Sequence, residues 1–394
     1  MSAAPNQHCS SPAASLYVAF ELSWAQWKLV FSTGLGASPR LRSVPARRLD
    51  LLRDEISKAK KRFGLADDAP VRSCYEAGRD GFWLHRFLSK EGVINLVVDS
   101  ASIEVKRHGR HRKTDRLDSQ KLLSMLLRYF GGEPGVWSVV RVPSPADEDI
   151  RHLHRDLMEL KAERTGHSNR IKGLLAGIGV DLKEVEDRFP TRLAEIRTWE
   201  EAKVLPELRR RLLREYQRWQ LVNGQIREVE NERERRLRTS RQNSLAKVRQ
   251  LLTLRGIGSN SAWLFTMEFF NWRQFHNRRQ VAALAGLTPT PYQSGDSSCE
   301  QGISKAGNRR LRYMAIEIAW CWLRHQPNSA LAKWYQKRFA AGRSRMRRIG
   351  IVAVARKLLV ALWRYLETGE VPAGAEVEPW CKKVGGWKLA ASSG

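Results

Sequence analysis

From residue 16 the chain alternates short apolar runs with amphipathic stretches. "LYVAF" followed by "WKLVFSTG" has the two-residue alternation of a hairpin, "PVRSCYEAG" reads as a further strand, "GFWLHRFLSKEG" as a helix and "VINLVVDS" as a buried strand. This pattern predicts an α/β domain with a mixed sheet over residues 15–143, after a disordered tail at 1–14. At "VPSPADED" the period becomes helical and the composition turns to Leu, Glu, Arg and Lys. Leu205, Leu212, Trp219 and Ile226 recur every seven residues, with Leu208, Val222 and Val229 on companion positions and Glu215 interrupting that second row. Such heptads predict coiled-coil helices over 144–246, as an intrachain hairpin or an oligomer contact, with a plain helical bundle as the alternative. The "GIGV" turn and Pro190 divide the region into at least two long helices. Residues 247–372 read as mostly helical, with helix, Gly-rich turn and helix in "LLTLRGIGSNSAWLF". A polar loop of about twenty residues is expected within "GLTPTPYQSGDSSCEQGISKAGNRRLR", and 373–394 reads as a tail.

Composition turns this outline toward a polyanionic partner. Lysine and arginine number 69 against 41 aspartate and glutamate, so a net charge of +28 is spread along 394 residues. A phosphate-rich partner is implied, and nucleic acid is favoured over an acidic membrane because no single amphipathic Lys/Arg helix stands out as an anchor. Cys9, Cys74, Cys299, Cys321 and Cys381 are scattered and form no CxxC pair. That usage points to a reducing compartment and away from structural zinc. The opening "MSAAPNQHCSSPAAS" lacks the basic and apolar regions of a secretory signal. "IGIVAVARKLLVALWRYL" is interrupted by Arg356 and Lys357 and reads as a core helix, not a membrane span. A cytoplasmic, prokaryotic protein is the expectation.

Carboxylates fall where the strands of the first domain should end: Glu21 after "LYVAF", Glu76 after "SCY" and Asp99 after "INLVV". Ligands of open α/β sheets gather at strand ends. In "RHGRHRKTDRLDSQKLL", Asp115 and Asp118 stand three residues apart, which puts both on one face of a helix. The set offers hard oxygen donors with no His or Cys partner, which suits Mg²⁺ or Mn²⁺ completed by substrate phosphates. Each acid also has an ordinary structural reading, Asp115 as an N-cap, Asp118 as a solvated first-turn residue and Asp99 as a turn residue. Arg107, Arg110, Arg112 and Lys113, with His108 and His111, precede the helix and read as a grip on a nucleic-acid backbone. Lys305, Asn308, Arg309, Arg310 and Arg312 in "SKAGNRRLR", and "RSRMRR" at 343–348, are further candidates for phosphate contact. Gly256 and Gly258 of "RGIG" either offer backbone N–H groups to phosphate or turn the chain between two helices. Some of the 14 tryptophans could stack on unpaired bases, although most such residues fill cores.

Four segments, "YVAFELSWAQWKLVF", "CYEAGRDGFWLHRFL", "KTDRLDSQKLL" and "RQVAALAGLTPTPYQSGDSSCEQGISKAGNRRLR", together resemble the DEDD transposases of the insertion-sequence one-ten family, in its eleven-eleven-type branch. They lie in the family's order and span nearly the whole chain. The resemblance implies a RuvC-like, ribonuclease-H-type first domain, a coiled-coil linker and a C-terminal transposase domain carrying a serine. It assigns four Mg²⁺-holding acids to Glu21, Glu76, Asp115 and Asp118, where the first is usually Asp and is one methylene longer here. The family's Ser-Gly pair matches Ser294 and Gly295, which makes Ser294 the nucleophile candidate and Ser297 and Ser298 its substitutes. It further implies a homo-oligomer, dimer or tetramer, with composite active sites, and a structured noncoding guide RNA, a bridge RNA, that pairs with donor and target DNA.

The function this predicts is an RNA-guided transposase, a serine recombinase that cuts and rejoins DNA through a phosphoserine intermediate. No His adjoins the Ser294 segment, so the group that activates the hydroxyl comes from elsewhere, and the resemblance implies that it is the metal-bound acids of the first domain. Two alternatives stand beside it. One is a RuvC-like metal-dependent nuclease or junction resolvase that uses water and not Ser294. The other is a nucleic-acid-binding derivative whose metal site Glu21 has disabled.

Overall fold

The computed structural model describes residues 14–103, 115–133, 135–294, 297–305 and 307–383, with backbone alone for 115–117, for those of 291–301 that it describes and for 383. Contacts divide the chain into two compact units, residues 1–142 with 272–312, and residues 143–271 with 313–394.

The first unit opens with β1 (Leu16–Leu22), β2 (Gln26–Ser32), β3 (Arg40–Pro45), α1 (Leu49–Arg62), β4 (Val71–Glu76), α2 (Trp83–Lys90) and β5 (Ile94–Val98). The strands form one sheet in the order β3-β2-β1-β4-β5. β1, β2 and β3 are an antiparallel meander, and β4 and β5 run parallel to β1. Alternation along each strand sends side chains to two buried faces. Phe20, Leu29 and Tyr75 pack on one face with Leu52 of α1 and Leu84 of α2. Ala19, Val30 and Cys74 pack on the other with Leu122 and Leu126 of α3 (Asp115–Phe130). The expected hairpin, strands and helix are therefore all present. β3 and α1 carry a weaker signal. In β3 only Val44 is buried, and the exposed Arg42, a residue of the kind that discourages edge-to-edge pairing, stands on this outer strand.

α3 runs against the direction of β1 and β4. The ring of Phe130, at its end, lies 6.0 Å from Tyr17 at the start of β1, and the Cys74 thiol donates to the Leu122 carbonyl at 3.8 Å. Its first turn is consequently carried toward the C-terminal ends of those strands.

The second unit contains α4 (Pro145–Ala176), α5 (Phe189–Glu195), α6 (Pro206–Thr239), α7 (Asn243–Leu252) and α8 (Ser259–Phe265). Ser144 caps α4 by accepting the Asp147 N–H at 3.1 Å, with Pro145 at the first helical position. α4 and α6 pack on each other within the chain and in opposite directions. Ile171 and Leu175 share a cluster with Leu212 and Trp219, while Leu157 and Leu160 share one with Val222 and Ile226. The seven-residue stripe is used in this pairing except at Leu205, which precedes α6 and is exposed. The interruption at Glu215 is an ion-pair site: its carboxylate accepts from His167 at 2.7 Å, Arg170 at 3.0 Å and Arg218 at 2.7 Å. Burial pushes that carboxyl up, but the hydrogen bonds from His167 and Arg170 outweigh it and hold it at about 2.

The chain then returns to the first unit with α9 (Arg278–Leu284), β6 (Pro289–Ser294) and β7 (Ser297–Ile303). β6 and β7 form an antiparallel hairpin where a polar loop was expected. Pro289 and Pro291 hide the strand from its sequence, because proline removes a ladder donor, and a register shift between them absorbs the irregularity. α10 (Arg309–His325), α11 (Ala330–Tyr335) and α12 (Ser344–Thr368) complete the order. Residues 373–378, placed by the sequence in a tail, are bound in the second unit: Arg255 N–H donates to the Glu376 carbonyl at 3.2 Å and Glu378 N–H to that of Thr253 at 2.8 Å. Among the described residues no helix is long and apolar enough to cross a membrane.

The second unit buries a charged group around His154, which is 2 % exposed and whose Nδ1 has no hydrogen-bond partner. Burial and then the Arg233 charge push its imidazole down to about 4, with Glu268 acting in the opposite sense. Between pH 6.5 and 4 the unfolded chain therefore binds a proton that the folded chain refuses, and stability falls as pH falls. The expected loss is on the order of 3 kcal/mol across that window. Urea unfolding at pH 7.5, 5.5 and 4.5 should show this decline, and His154→Phe should flatten it by about one proton's worth of slope.

Candidate active site

Glu21 and Glu76 are brought side by side by the parallel ladder. Phe20 pairs with Tyr75, and the two glutamates are the next residues on their strands. By alternation they share the face of Ala19 and Cys74, the face that α3 covers. Both line an open cavity of about 410 Å³ together with Ser23, Trp24, Arg79 and Asp80. Asp118 sits half-buried in the first turn of α3, at the same end of the sheet. Asp115 starts that helix, and its side chain lies outside the described residues. Among the described residues no three His, Cys, Asp or Glu side chains are grouped closely enough to hold a metal ion. Two adjacent carboxylates nonetheless fit Mg²⁺ or Mn²⁺ in kind, since these ions keep several waters and take one or two protein carboxylates plus substrate phosphate.

Asp99 takes the turn position and not an auxiliary ligand position. Its carboxylate accepts from Arg273 Nε at 2.5 Å and from the Ala101 N–H at 3.0 Å, and the residue is 4 % exposed. Arg273 was not singled out by its sequence context. It begins the segment that returns to this unit, where Arg141 N–H also donates to the Trp272 carbonyl at 2.9 Å and Trp272 stacks on Phe82 at 5.2 Å. Removing one partner of a buried pair leaves a charge uncompensated. Arg273→Ala should lower stability by about 3 kcal/mol in urea unfolding, and Asp99→Asn placed in the same chain should recover part of it.

A tight passage closes the segment. Gly307, at φ +70°, passes so close to the end of α9 that a Cβ there would stand 2.5 Å from the Leu284 carbonyl, with Ala101 Cβ at 3.6 Å. Only glycine meets both the positive φ and the close approach. The β6–β7 hairpin thus lies between the Arg273 attachment to Asp99, just beyond β5, and the passage of Gly307 against Leu284. Ser294 ends β6 and pairs with Ser297, while Ser298 pairs with Gln293. All three serines are at the hairpin's far end, and their side chains lie outside the described residues. Five residue steps from Pro289 span about 17 Å, which bounds the reach of Ser294 from the hairpin base.

The basic candidates divide into structural and open groups. Asn308 caps α10, its Oδ1 accepting from the N–H groups of Arg310 at 2.9 Å and Leu311 at 3.3 Å. Arg312 is half-buried and donates to the Gly307 carbonyl at 3.1 Å, with burial and then the Arg309 charge lowering its guanidinium pKa. Lys305, Arg309 and Arg310 are exposed, as are the arginines of 343–348. Arg107, His108, Arg110, His111, Arg112, Lys113 and Gly295 lie outside the described residues. Gly256 serves the turn: its φ is +87°, and a Cβ there would lie 3.3 Å from His325 Cβ. The Gly258 N–H donates to Ser261 Oγ at 3.1 Å. Sequence reasoning missed Trp24 and Asp80, although "ELSW" and "EAGRDG" place each four residues or fewer beyond a singled-out glutamate.

Residues 248–336 match the family model described as "Transposase IS116/IS110/IS902 family". The chain is 42% identical over 373 residues to the Sinorhizobium fredii protein named "Putative transposase y4rJ", covering 92% of this chain and 94% of that one. It is 25% identical over 331 residues to the transposase for insertion sequence element IS1328 of Yersinia enterocolitica, covering 82% and 91%. To the transposase for insertion sequence element IS1111A of Coxiella burnetii it is 27% identical over 293 residues, covering 74% and 76%. The chain therefore belongs to the IS116/IS110/IS902 family of transposases.

Proposed function

We propose that this transposase is a serine recombinase in which Ser294 attacks a DNA phosphodiester beside the acids Glu21, Glu76, Asp115 and Asp118. The observation that carries the reading is the membership of the Ser294 hairpin in the same compact unit as the Glu21–Glu76 pair, with the Arg273 attachment at Asp99. The antiparallel meander continued by two parallel strands supports a RuvC-like assignment of the sheet.

In the first step Ser294 Oγ forms a bond to phosphorus, the bond from phosphorus to one strand oxygen breaks, and that oxygen leaves with a proton. Religation reverses these changes with a different strand end, so no external energy source is needed. The Glu21, Glu76, Asp115 and Asp118 carboxylates would hold Mg²⁺ or Mn²⁺, which supplies charge stabilisation to the pentavalent phosphorus. Lys305, Arg309 and Arg310 are open to neutralise strand phosphates. Recognition of donor and target by a structured guide RNA, and completion of each site within a homo-oligomer, belong to the same proposal. The high positive charge without a base-reading motif supports the first of these.

The test is strand exchange by the purified protein with its element's flanking noncoding RNA, donor DNA and target DNA in Mg²⁺. Recombinants accompanied by a denaturant-resistant protein–DNA species are expected. Metal-dependent cutting without that species would make the protein a hydrolytic nuclease, and no metal-dependent cutting would make it a binder.

A further inference from the structure

Trp24 is the unusual residue beside the acid pair. It stands in the turn between β1 and β2 and is 68 % exposed, which gains nothing in folding. The turn is held firmly, with Ser23 Oγ accepting the Gln26 N–H at 3.3 Å and donating to the Gln26 carbonyl at 2.5 Å. Two guanidinium groups lie against the indole, Arg47 at 4.6 Å and Arg79 at 5.1 Å from the ring centre. Asp80, whose side chain is only 8 % exposed, holds both arginines, at 3.6 Å and 3.8 Å. A tryptophan covered on both ring faces keeps only its edges in solvent. With two-thirds of its surface open, Trp24 has a face to offer.

The composition of the pocket argues for one kind of occupant. Glu21 and Glu76 alone would repel a phosphodiester, whereas Arg79 returns positive charge within the cavity lining and Arg47 adds to it from the other contact on the Trp24 ring. An indole with guanidinium groups beside it is the arrangement on which a base stacks while its phosphate is neutralised. A protein partner would need a broader apolar patch than one ring. We propose that Trp24 is a stacking platform for an unpaired nucleobase, with Arg47 and Arg79 gripping the adjoining phosphate so that the strand enters the cavity at Glu21 and Glu76. Asp80 is a positioning residue for the two arginines. This deepens the recombinase reading and rests on it for the identity of the cavity as the reacting site. It adds that the strand is unpaired there.

The experiment uses the full chain with Ca²⁺ in place of Mg²⁺, to hold turnover off. Fluorescence anisotropy would follow single-stranded DNA and single-stranded RNA of the same sequence, roughly 12 nucleotides long, and the matching duplex. Trp24→Ala should weaken single-strand binding about 5- to 150-fold, the worth of one stack, while duplex binding shifts less than about twofold. Trp24→Phe should retain most of the affinity. An abasic position walked along the strand should cost the wild type the same factor at one place and cost Trp24→Ala nothing there. A loss confined to DNA identifies the substrate strand, and one confined to RNA identifies the guide. Equal weakening of single strand and duplex, or no weakening at an unchanged thermal midpoint, would overturn the proposal. Because binding needs no strand transfer, stacking by Trp24 in a protein that makes no recombinants would reject the recombinase mechanism and keep this inference. Recombination at the wild-type rate by Trp24→Ala would do the reverse.

Discussion

Ser294→Ala should leave DNA and RNA binding unchanged and remove both the protein-linked DNA species and recombinant product, with a rate loss of at least ~10⁴-fold. The size follows from the role. A nucleophile that forms a covalent bond has no partial substitute in alanine, and what survives is the background from binding and charge stabilisation alone. Hairpin register makes the control demanding. Ser294 pairs with Ser297, and Ser298 is one step further along the partner strand. Ser297→Ala and Ser298→Ala should therefore be made alongside, and both should still form the linked species. If Ser297→Ala instead removes it, the nucleophile is on β7 and the mechanism survives with a different residue. If all three keep cutting DNA with no linked species, water is the nucleophile.

The second large effect is expected at the glutamate pair. Glu76→Gln keeps the size of the side chain and deletes its charge, so the sheet should fold unchanged while cleavage falls by ~10³-fold, about 4 kcal/mol of barrier. Glu21→Gln should behave alike, and the double variant should be scarcely worse than either single one, as for residues that act as a unit. Calorimetric titration with Mn²⁺ gives a readout independent of turnover: heat of binding should drop in both variants. Wild-type cleavage by Glu21→Gln would exclude that corner from the site. Glu21→Asp, which shortens the reach by one methylene, asks whether the longer carboxylate at this position is tuned to its surroundings. Full activity there would mean that the extra methylene is absorbed by solvent or backbone adjustment.

The alternation in β1, β2, β4 and β5 was legible because both faces of the sheet are apolar and each strand is bounded by polar or glycine residues. α4 and α6 were legible from their periods, though not the choice of an intrachain partner, which depends on where the connection through α5 returns. Glu215 shows the limit: its sequence position looks like a fault in an apolar row, and only the side chains of His167, Arg170 and Arg218 explain it. The hairpin under Ser294 was hidden by prolines. For the site, the strand-end acids could be read from position alone. Arg273 could not, because its partner is 174 residues away and no local pattern encodes such a contact. Trp24 and Asp80 carried a signal in their nearness to Glu21 and Glu76, but exposure and the two guanidinium contacts exist only in three dimensions.

The discontinuity of the first unit has a practical edge for anyone who would cut or recombine this gene. The block that matches the family model, 248–336, begins and ends in the second unit and takes 272–312 from the first. It is a unit of kinship without being a unit of folding. Expressed by itself, it would present Arg273 with no Asp99 and Trp272 with no Phe82. Chimaeras that exchange this block between relatives should be soluble only when the donor's sheet travels with it, so the natural seams for grafting are at 142, 271 and 312 together and not at either edge of the shared block.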